Sequence, residues 1–447
     1  MAELAASPPR RNRLLLTQWS ELLENDSFRR FFLMRVASTA AVNALSYALL
    51  VFTVRQSPSA LATGGLLLTI LVPSAMLGAI AGVAVDHAPR GLILLLANAL
   101  RAVLMFLLIG AKGSLATLYL VALALGFISQ FAVPAESAVL PNIVRQDRLT
   151  AANSVLSLGS LATQVAGMLI VAPLLLKTGQ ADLLLFLLMG LFAFSAVLIT
   201  VIPQFHFTFS DPNRTPLTIK RARRQFAEGW MTLARDSVAY TSLVLSVVAT
   251  VSTLVLATLL PKFSTQVLKI QPENIVFVLA PVAIAVFIGL RSVEWLANRF
   301  NKMVTISGAY LLMAVALVAL GLVPSAAAVL VRWDFLGAFS AGPLNDQAAR
   351  IACTIVFANC YGFGMTVVVT MGRVLINERI PQQMQGRAFA AHAVLSNLVA
   401  ILPVLLAGIF ADAVGVEPVL VLGGVVALGA AVWSRAQGTR VVPAHAA

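Results

Sequence analysis

The chain has 447 residues, 60% of them hydrophobic and only 11% charged. A soluble domain carries roughly 25% charged residues, so this chain has too few to coat a water-facing surface, and a bilayer must solvate most of it. Its net charge of +13 does not indicate nucleic acid, because the basic residues are scattered over short loops with no soluble domain to carry them.

In chain order, Arg10, Arg11 and Arg13 are followed only by Leu14-Leu15-Leu16 before polar residues return. That is too short for the apolar core of a cleavable signal. Leu14–Phe28, with Trp19, Leu22 and Leu23, reads either as an amphipathic stretch lying on the membrane or as a solvated charged segment. Continuous apolar runs then recur, each of about 20 residues, the length needed to cross a bilayer as a helix. The predicted spans are Phe31–Val54, Leu61–Val85, Leu92–Ile109, Leu115–Pro134, Ala151–Leu176 and Leu183–Ile202, then Val238–Leu260, Ile275–Leu296, Val304–Leu322, Ile351–Met371, Ala388–Phe410 and Val419–Trp433. Runs of this kind satisfy their backbone groups only as helices and lack the alternation of a membrane β-barrel. The expected fold is an all-α polytopic membrane protein with 12 transmembrane helices. Cys353 and Cys360 lie in one apolar run, seven residues apart, and read as membrane-buried thiols on one helix face with no zinc spacing.

An even number of spans puts both termini on one side. With the N-terminus in the cytoplasm, 21 basic residues fall in cytoplasmic segments and 7 on the opposite side, while Arg35, Arg101 and Arg291 lie in or near spans. This asymmetry predicts cytoplasmic N and C termini in a multi-pass protein of the cytoplasmic (plasma, in a bacterium inner) membrane.

The chain also repeats itself weakly. Arg148-Leu-Thr-Ala-Ala-Asn-Ser-Val-Leu-Ser157 opens the fifth span and Arg387-Ala-Phe-Ala-Ala-His-Ala-Val-Leu-Ser396 the eleventh, with six of ten positions alike at an offset of 239. Asp86-His-Ala-Pro-Arg90 and Asn298-Arg-Phe-Asn-Lys302 correspond at an offset of 212. Two parallel six-helix halves are the expected arrangement. The layout is a cytoplasmic N-terminal segment (1–30), a six-helix bundle (31–203), a cytoplasmic linker (204–237), a second bundle (238–434) and a cytoplasmic tail (435–447). In the linker, Lys220–Arg224 followed by Phe226, Trp230 and Leu233 reads as an amphipathic surface helix or a solvated segment. The 27-residue difference between the offsets predicts an insertion between the ninth and tenth spans, around Val323–Ala349, on the outer face.

The stretch Gly82-Val-Ala-Val-Asp86-His-Ala-Pro-Arg90 resembles the signature loop after the second helix of the major facilitator superfamily. Phe28-Arg29-Arg30, Pro134-Ala-Glu-Ser-Ala-Val-Leu-Pro141, Glu228-Gly229 and Gly386-Arg387 resemble its bacterial drug and siderophore exporter branch, the enterobactin-exporter-like proteins. The resemblance covers about Phe28 to Trp433. It implies that Gly82, Asp86 and Arg90, with Asn298, Lys302 and Arg387 as counterparts in the second half, govern conformational switching. Two departures weigh against proton-driven drug export. Ala41-Val42 stands where many relatives have Gly-Asp or Gly-Ser, and Gly167-Met168 stands where proton antiporters often have Gly-Pro. Asn43 and Ser46 faintly resemble the lysophospholipid transporters of the superfamily.

Polar residues inside spans face a cavity or another helix. The candidates for substrate contact are Asn43, Tyr47, Gln130, Gln164, Asn359, Tyr361 and Asn397, and a helix-to-helix hydrogen bond is an equal reading for each. Arg101 lies about nine residues into the third predicted span, roughly 13 Å deep at 1.5 Å per residue. It would meet an anionic substrate group, pair with a carboxylate such as Glu136, or snorkel. The 18 carboxylates include none in the middle third of a span, so proton coupling, where protons drive transport, is placed in the cytoplasmic-side group of Asp86, Glu136 and His392, with Arg101 as a further coupling candidate. Movement of substrate down its own gradient is the other route.

No phosphate-binding glycine loop is present, and His87, His206, His392 and His445 are scattered, so neither an ATP motor nor an enzyme is expected, and no cofactor or metal. The expected function is secondary active transport, exporting amphipathic or hydrophobic small molecules by alternating access, with the lipid bilayer and that substrate as partners, no nucleic acid, and a monomer. The alternatives are a lipid or lysophospholipid transporter with little proton coupling, and a transport-dead sensor or scaffold of the same fold.

Overall fold

A helix crossing hydrocarbon keeps its hydrogen bonds within the segment, so each apolar run folds locally and the runs then pack. The computed structural model describes residues 22–111, 114–203, 205, 227–228, 230–332 and 345–438. Among these residues there are twelve helices long and apolar enough to cross a membrane and no strand. They are α1 (Asp26–Gln56), α2 (Ala60–His87), α3 (Arg90–Ala111), α4 (Leu115–Ile143), α5 (Leu149–Gln164, Val165–Val171 and Ala172–Lys177), α6 (Ala181–Thr200), α7 (Ser237–Gln266), α8 (Ile275–Leu279 and Val282–Arg299), α9 (Lys302–Gly321), α10 (Asp346–Arg379), α11 (Gln382–Val414) and α12 (Val416–Gly438).

Two elements depart from simple α-helix. The middle of α5, Val165–Val171, is π-helical, and the Ala172 N–H closes on the Gly167 carbonyl five residues back. The helix α8 is interrupted at Ala280-Pro281, as expected where proline removes a donor. Pro134 has no such effect. α4 was expected to end there, yet it runs nine residues further to Ile143 and carries Pro134 and Pro141 internally. Membrane helices tolerate proline because neighbours re-satisfy the freed carbonyl. The expected lengthening between the ninth and tenth spans is present. Three residues join α3 to α4, whereas a ten-residue helix, Val323–Arg332, follows α9 well before α10 begins at Asp346. Most of the amphipathic stretches expected near 14–28 and 220–233 lies outside the described residues.

Unit one comprises Met1–Leu49, Ile80–Thr117 and Phe127–Leu217. Its core is aromatic and aliphatic, with Phe28, Phe31, Met34, Leu94, Ala152 and Ile199 buried. Hydrophobic transfer gives helices no reason to associate inside a bilayer, so close packing has to hold them. A Cβ at Gly167 would lie 2.6 Å from the Ala40 carbonyl oxygen, and only glycine lets α5 pass α1 at this distance.

Unit two comprises Leu50–Ala79, Leu118–Gly126 and Thr218–Ala447. Its core runs along α7, α9, α10 and α12, with Tyr310, Met313, Val368 and Met371 fully buried. Here a Cβ at Gly408 would sit 2.8 Å from the Leu61 Cα, so α11 and the start of α2 touch backbone to backbone. Asp412, near the end of α11, uses that closeness. Its carboxylate accepts the Ala60 and Leu61 N–H groups at 2.9 and 3.1 Å and the Ser59 hydroxyl. Ser59 Oγ itself accepts from the Ala62 N–H at 3.2 Å. Three of the four orphan donors at the α2 N-terminus are thereby satisfied, with a negative charge on the positive end of the helix. Lys262 of α7 closes the arrangement, donating to Asp412 at 2.7 Å and to the Ala411 carbonyl at 2.8 Å.

Candidate functional site

Among the described residues of unit one, three charged side chains lie inside the spans. Arg101 is about 16 Å along α3, Arg35 about 13 Å along α1, and Glu136 about 10 Å before the end of α4, at 1.5 Å per residue. Glu136 was expected beyond its span, near a helix end. The continuation of α4 through Pro134 instead places it inside the helix, with its side chain 14% exposed.

Arg101 is 3% exposed. Its guanidinium donates to the hydroxyls of Ser38 on α1 and Ser129 on α4, each at 3.2 Å, and lies 5.9 Å from the centre of the Phe192 ring on α6. Ser38 in turn donates to Asn98 Oδ1 at 2.8 Å, and Asn98 is anchored by the Leu94 carbonyl. A cation over an aromatic ring is worth roughly 0.5–2 kcal/mol, and neutral hydroxyls add modestly. Neither cancels a full buried charge, whose desolvation costs several kcal/mol. Glu136 does act on Arg101 electrostatically, but its nearest recorded ion pair is with Arg35, Nε to Oε2 at 3.6 Å. The Nε atoms of Arg35 and Arg101 are both buried without a hydrogen-bond partner. Of the three readings of Arg101, snorkelling is excluded by its burial. The other two remain joined, because the carboxylate expected as its partner is shared with a second arginine.

The other candidates separate by what they touch. Tyr361 is buried and shares a 3.0 Å hydrogen bond with Thr253 of α7. Asn397 donates to Ser74 of α2 at 2.6 Å, and Asn359 to the Ile355 carbonyl of its own helix at 2.7 Å. The Tyr361 and Asn397 bonds join helices, whereas that of Asn359 stays within its own. Asn43 packs beside Gly167, Tyr47 is buried, Gln130 is half-buried and Gln164 is exposed. His392 is half-buried in unit two with Nε2 unpartnered, and Glu136 belongs to unit one.

The expected switch residues are only partly described. The side chains of Gly82, Asp86 and Arg387 lie outside the described residues. Arg90 donates to the Ala138 carbonyl of α4 at 2.6 Å. Its counterpart Lys302 pairs with Glu378 of α10, in a recess of about 350 Å³ that also includes Asn298 and Glu294. In each half a basic residue at the start of the third helix therefore reaches the end of the fourth. Unit two also contains an apolar cavity of about 410 Å³ between α7, α11 and α12, lined by residues such as Val255, Leu259, Pro403, Leu406 and Val426. Its one hydroxyl, on Ser252, is bonded to the Val248 carbonyl. Both recesses were missed in the sequence, because they depend on packing between helices.

Twelve apolar spans with close-packed glycines define a polytopic helical membrane protein. The chain belongs to the Major Facilitator Superfamily, whose sequence profile matches residues 31–352. No curated protein sequence matches it. Among solved structures, it is similar to the nucleoside transporter NupG (10% identity, 92% of this chain and 98% of that one, TM-score 0.66). It is also similar to an inward-facing bacterial homologue of the iron transporter ferroportin (14%, 91% and 98%, 0.68) and to the POT family transporter PepTSo (13%, 93% and 98%, 0.67). At these identities the likeness is one of fold.

Proposed function

We propose that the protein is a secondary active transporter that exports amphipathic or hydrophobic small molecules by alternating access, akin to the drug and siderophore exporter branch, and that it works as a monomer in the cytoplasmic membrane. The observation that carries this reading is how its polar groups are used. Tyr361 and Asn397 are engaged in hydrogen bonds between helices, while the cavity of unit two is aliphatic. A sugar or amino acid carrier needs free donors and acceptors at its site, because unmatched polar groups are costly once desolvated. The fold itself does not choose a substrate, since a nucleoside transporter, a homologue of an iron transporter and a POT family peptide transporter share it.

Gly82, Asp86 and Arg90, with Asn298, Lys302 and Arg387, act on the conformational equilibrium. Flux of fluorescent amphiphiles in proteoliposomes tests the assignment. The parent is expected to move them, and Asp86→Asn is expected to slow flux while leaving binding intact, because a residue that biases two states need not touch the ligand. Proton flux on substrate addition, measured for the parent and for Glu136→Gln and His392→Gln, tests coupling through those groups. Flux of lysophospholipid alone would favour the lipid carrier, and no flux of any amphiphile would overturn the transport reading.

A further inference from the structure

The apolar cavity of unit two is built into the fold rather than left by loose packing. α11 and α12 are joined by Gly415 alone, whose φ of 95° glycine adopts freely, so the end of one lies beside the start of the other. Each helix is then fastened to a different neighbour. A Cβ at Gly408 of α11 would lie 2.8 Å from the Leu61 Cα of α2. A Cβ at Gly424 of α12 would lie 3.0 Å from the Ala314 carbonyl oxygen of α9, and one at Gly321 of α9 would lie 2.8 Å from the Glu417 carbonyl oxygen of α12. Close glycine contacts of this kind decide which membrane helices pack. They hold α11 to α2 and α12 to α9, and the space left between α11, α12 and α7 is a cleft of about 410 Å³. Its floor includes Leu259 of α7 and Leu317 of α9, which are 1% and 3% exposed, whereas Leu406 of α11 and Val426 of α12 at its lips are 41% and 52% exposed. The cleft therefore opens sideways, between α11 and α12.

Its polarity, length and width together define the occupant. The Ser252 hydroxyl is already bonded to the Val248 carbonyl, and a buried water needs two to four polar partners, so water has nothing to hold it. An apolar cavity of about 150 Å³ already stays dry and takes up a hydrocarbon, and this one is larger. The lining runs from Val248 to Leu259 along α7 and from Val399 to Phe410 along α11, about 16 Å on each at 1.5 Å per residue. That is about half of the roughly 30 Å hydrocarbon core, the depth of one leaflet. A volume of about 410 Å³ spread over that length leaves a section of about 25 Å², room for one hydrocarbon chain and not two. Charge marks the end of the cleft nearer the α11–α12 turn. Lys262 comes three residues after Leu259 and Asp412 two after Phe410, and Lys262 gives two of its N–H groups to Asp412 and to the Ala411 carbonyl, which leaves the third for a lipid oxygen. We propose that the cleft between α11 and α12 binds one acyl chain of a membrane phospholipid, whose head rests at the Lys262–Asp412 rim and whose second chain stays in the bilayer. The bound chain completes the wall of unit two where the helices leave it open. The inference goes beyond the carrier reading and does not depend on it.

The test uses the full-length protein in phosphatidylcholine nanodiscs doped with a phosphatidylcholine that carries a photoactivatable diazirine midway along one chain. After illumination, the labelled positions are mapped by peptide mass spectrometry. Phe106 of α3, 66% exposed, gives the level of ordinary bilayer contact. Val255 and Leu317 on the floor of the cleft are expected to be labelled at least as strongly as Phe106, which no lipid confined to the protein's outer surface could do. Gly423→Phe fills the cleft, since a Cβ there meets only the Leu317 Cδ1 at 3.7 Å, an ordinary contact. It should lower labelling of the floor several-fold and leave Phe106 unchanged. Val426→Phe fills the cleft from its lip and serves in the same way should the glycine variant fold poorly. The proposal is overturned if the floor of the parent is labelled far less than Phe106, or if neither filled variant lowers its labelling. Saturable displacement of the label by dodecanol, with dodecanol carried across vesicles by the parent and not by Gly423→Phe, would make the cleft a cargo site. That result would overturn this inference and leave the carrier reading intact. Floor labelling that the filled variants remove supports the inference even where no amphiphile is transported, the outcome that removes the carrier reading alone.

Discussion

Two groups of ionised side chains, one in each unit, are built on opposite plans. In unit two, Lys262 and Asp412 sit near helix ends, matched one to one, and every oxygen of the carboxylate has a donor. In unit one, Arg35, Arg101 and Glu136 sit at depth, unequal in number, with donors left over. Charge that is fully satisfied at the rim of the bilayer reads as fastening, since it joins three helices and caps one of them. Charge that is incompletely satisfied in the middle costs stability and persists only where something else uses it.

This contrast can be broken most sharply at Arg101. Arg101→Leu should lower transport by about tenfold or more, the loss of a buried charge that transport uses, yet it should leave the thermal unfolding midpoint unchanged or raised, because the remaining Arg35–Glu136 pair balances. A large fall in the midpoint would mean that the arginine is a fastening after all. Asp412→Ala should do the reverse. It strips the cap from α2 and leaves Lys262 without its partner, at a cost of about 2 kcal/mol in stability, with ligand binding retained. Denaturation in detergent, followed alongside binding, separates the two outcomes. Tyr361→Phe, which removes one interhelical bond to Thr253, should cost only about 0.6 kcal/mol. Lys302→Gln should be the mildest, within about 0.5 kcal/mol, because its pair with Glu378 is solvent-exposed. A Lys302 variant that slows transport while keeping this stability would support its place among the switch residues.

The spans were legible in the sequence because a bilayer demands long apolar runs, and nothing else in this composition competes with that signal. The errors fell where a local rule met a tertiary environment. Pro134 marks an end in water, but α4 continues to Ile143, so Glu136 moved from a loop into the bundle. A carboxylate such as Glu136 was an expected partner of Arg101 by charge, although ending the span at Pro134 put the two at different depths. The part played by Arg35 was not foreseeable, because a lone arginine near a predicted span end looks like an interfacial anchor. Its spacing of three from Ser38, which puts both on one helix face, was the available clue. Tyr361 and Asn397, by contrast, carry no sequence mark that distinguishes a helix-to-helix bond from a ligand contact. The connection to Glu378 was hidden because it depends on where α10 ends, eight residues beyond the apolar run.

The π-helical stretch of α5 has a consequence for angular phase. Hydrogen bonds closing five residues back accommodate one more residue in the turn than an α-helix would hold. Deleting a single residue between Val165 and Val171 would therefore restore the α-helical turn and leave the two flanking parts of α5 in phase. Deleting one from the α-helical part between Leu161 and Gln164 would instead shorten the helix by about 1.5 Å, a change that a bilayer absorbs by tilt, and rotate one half against the other by roughly 100°. With Gly167 held against α1, the half that turned would be the one bearing Leu156 and Ser160, and their side chains would leave the crevice beside Arg35. The stretch thus works like a slip joint in a shaft, taking up a residue without changing which face of α5 is presented to the arginine.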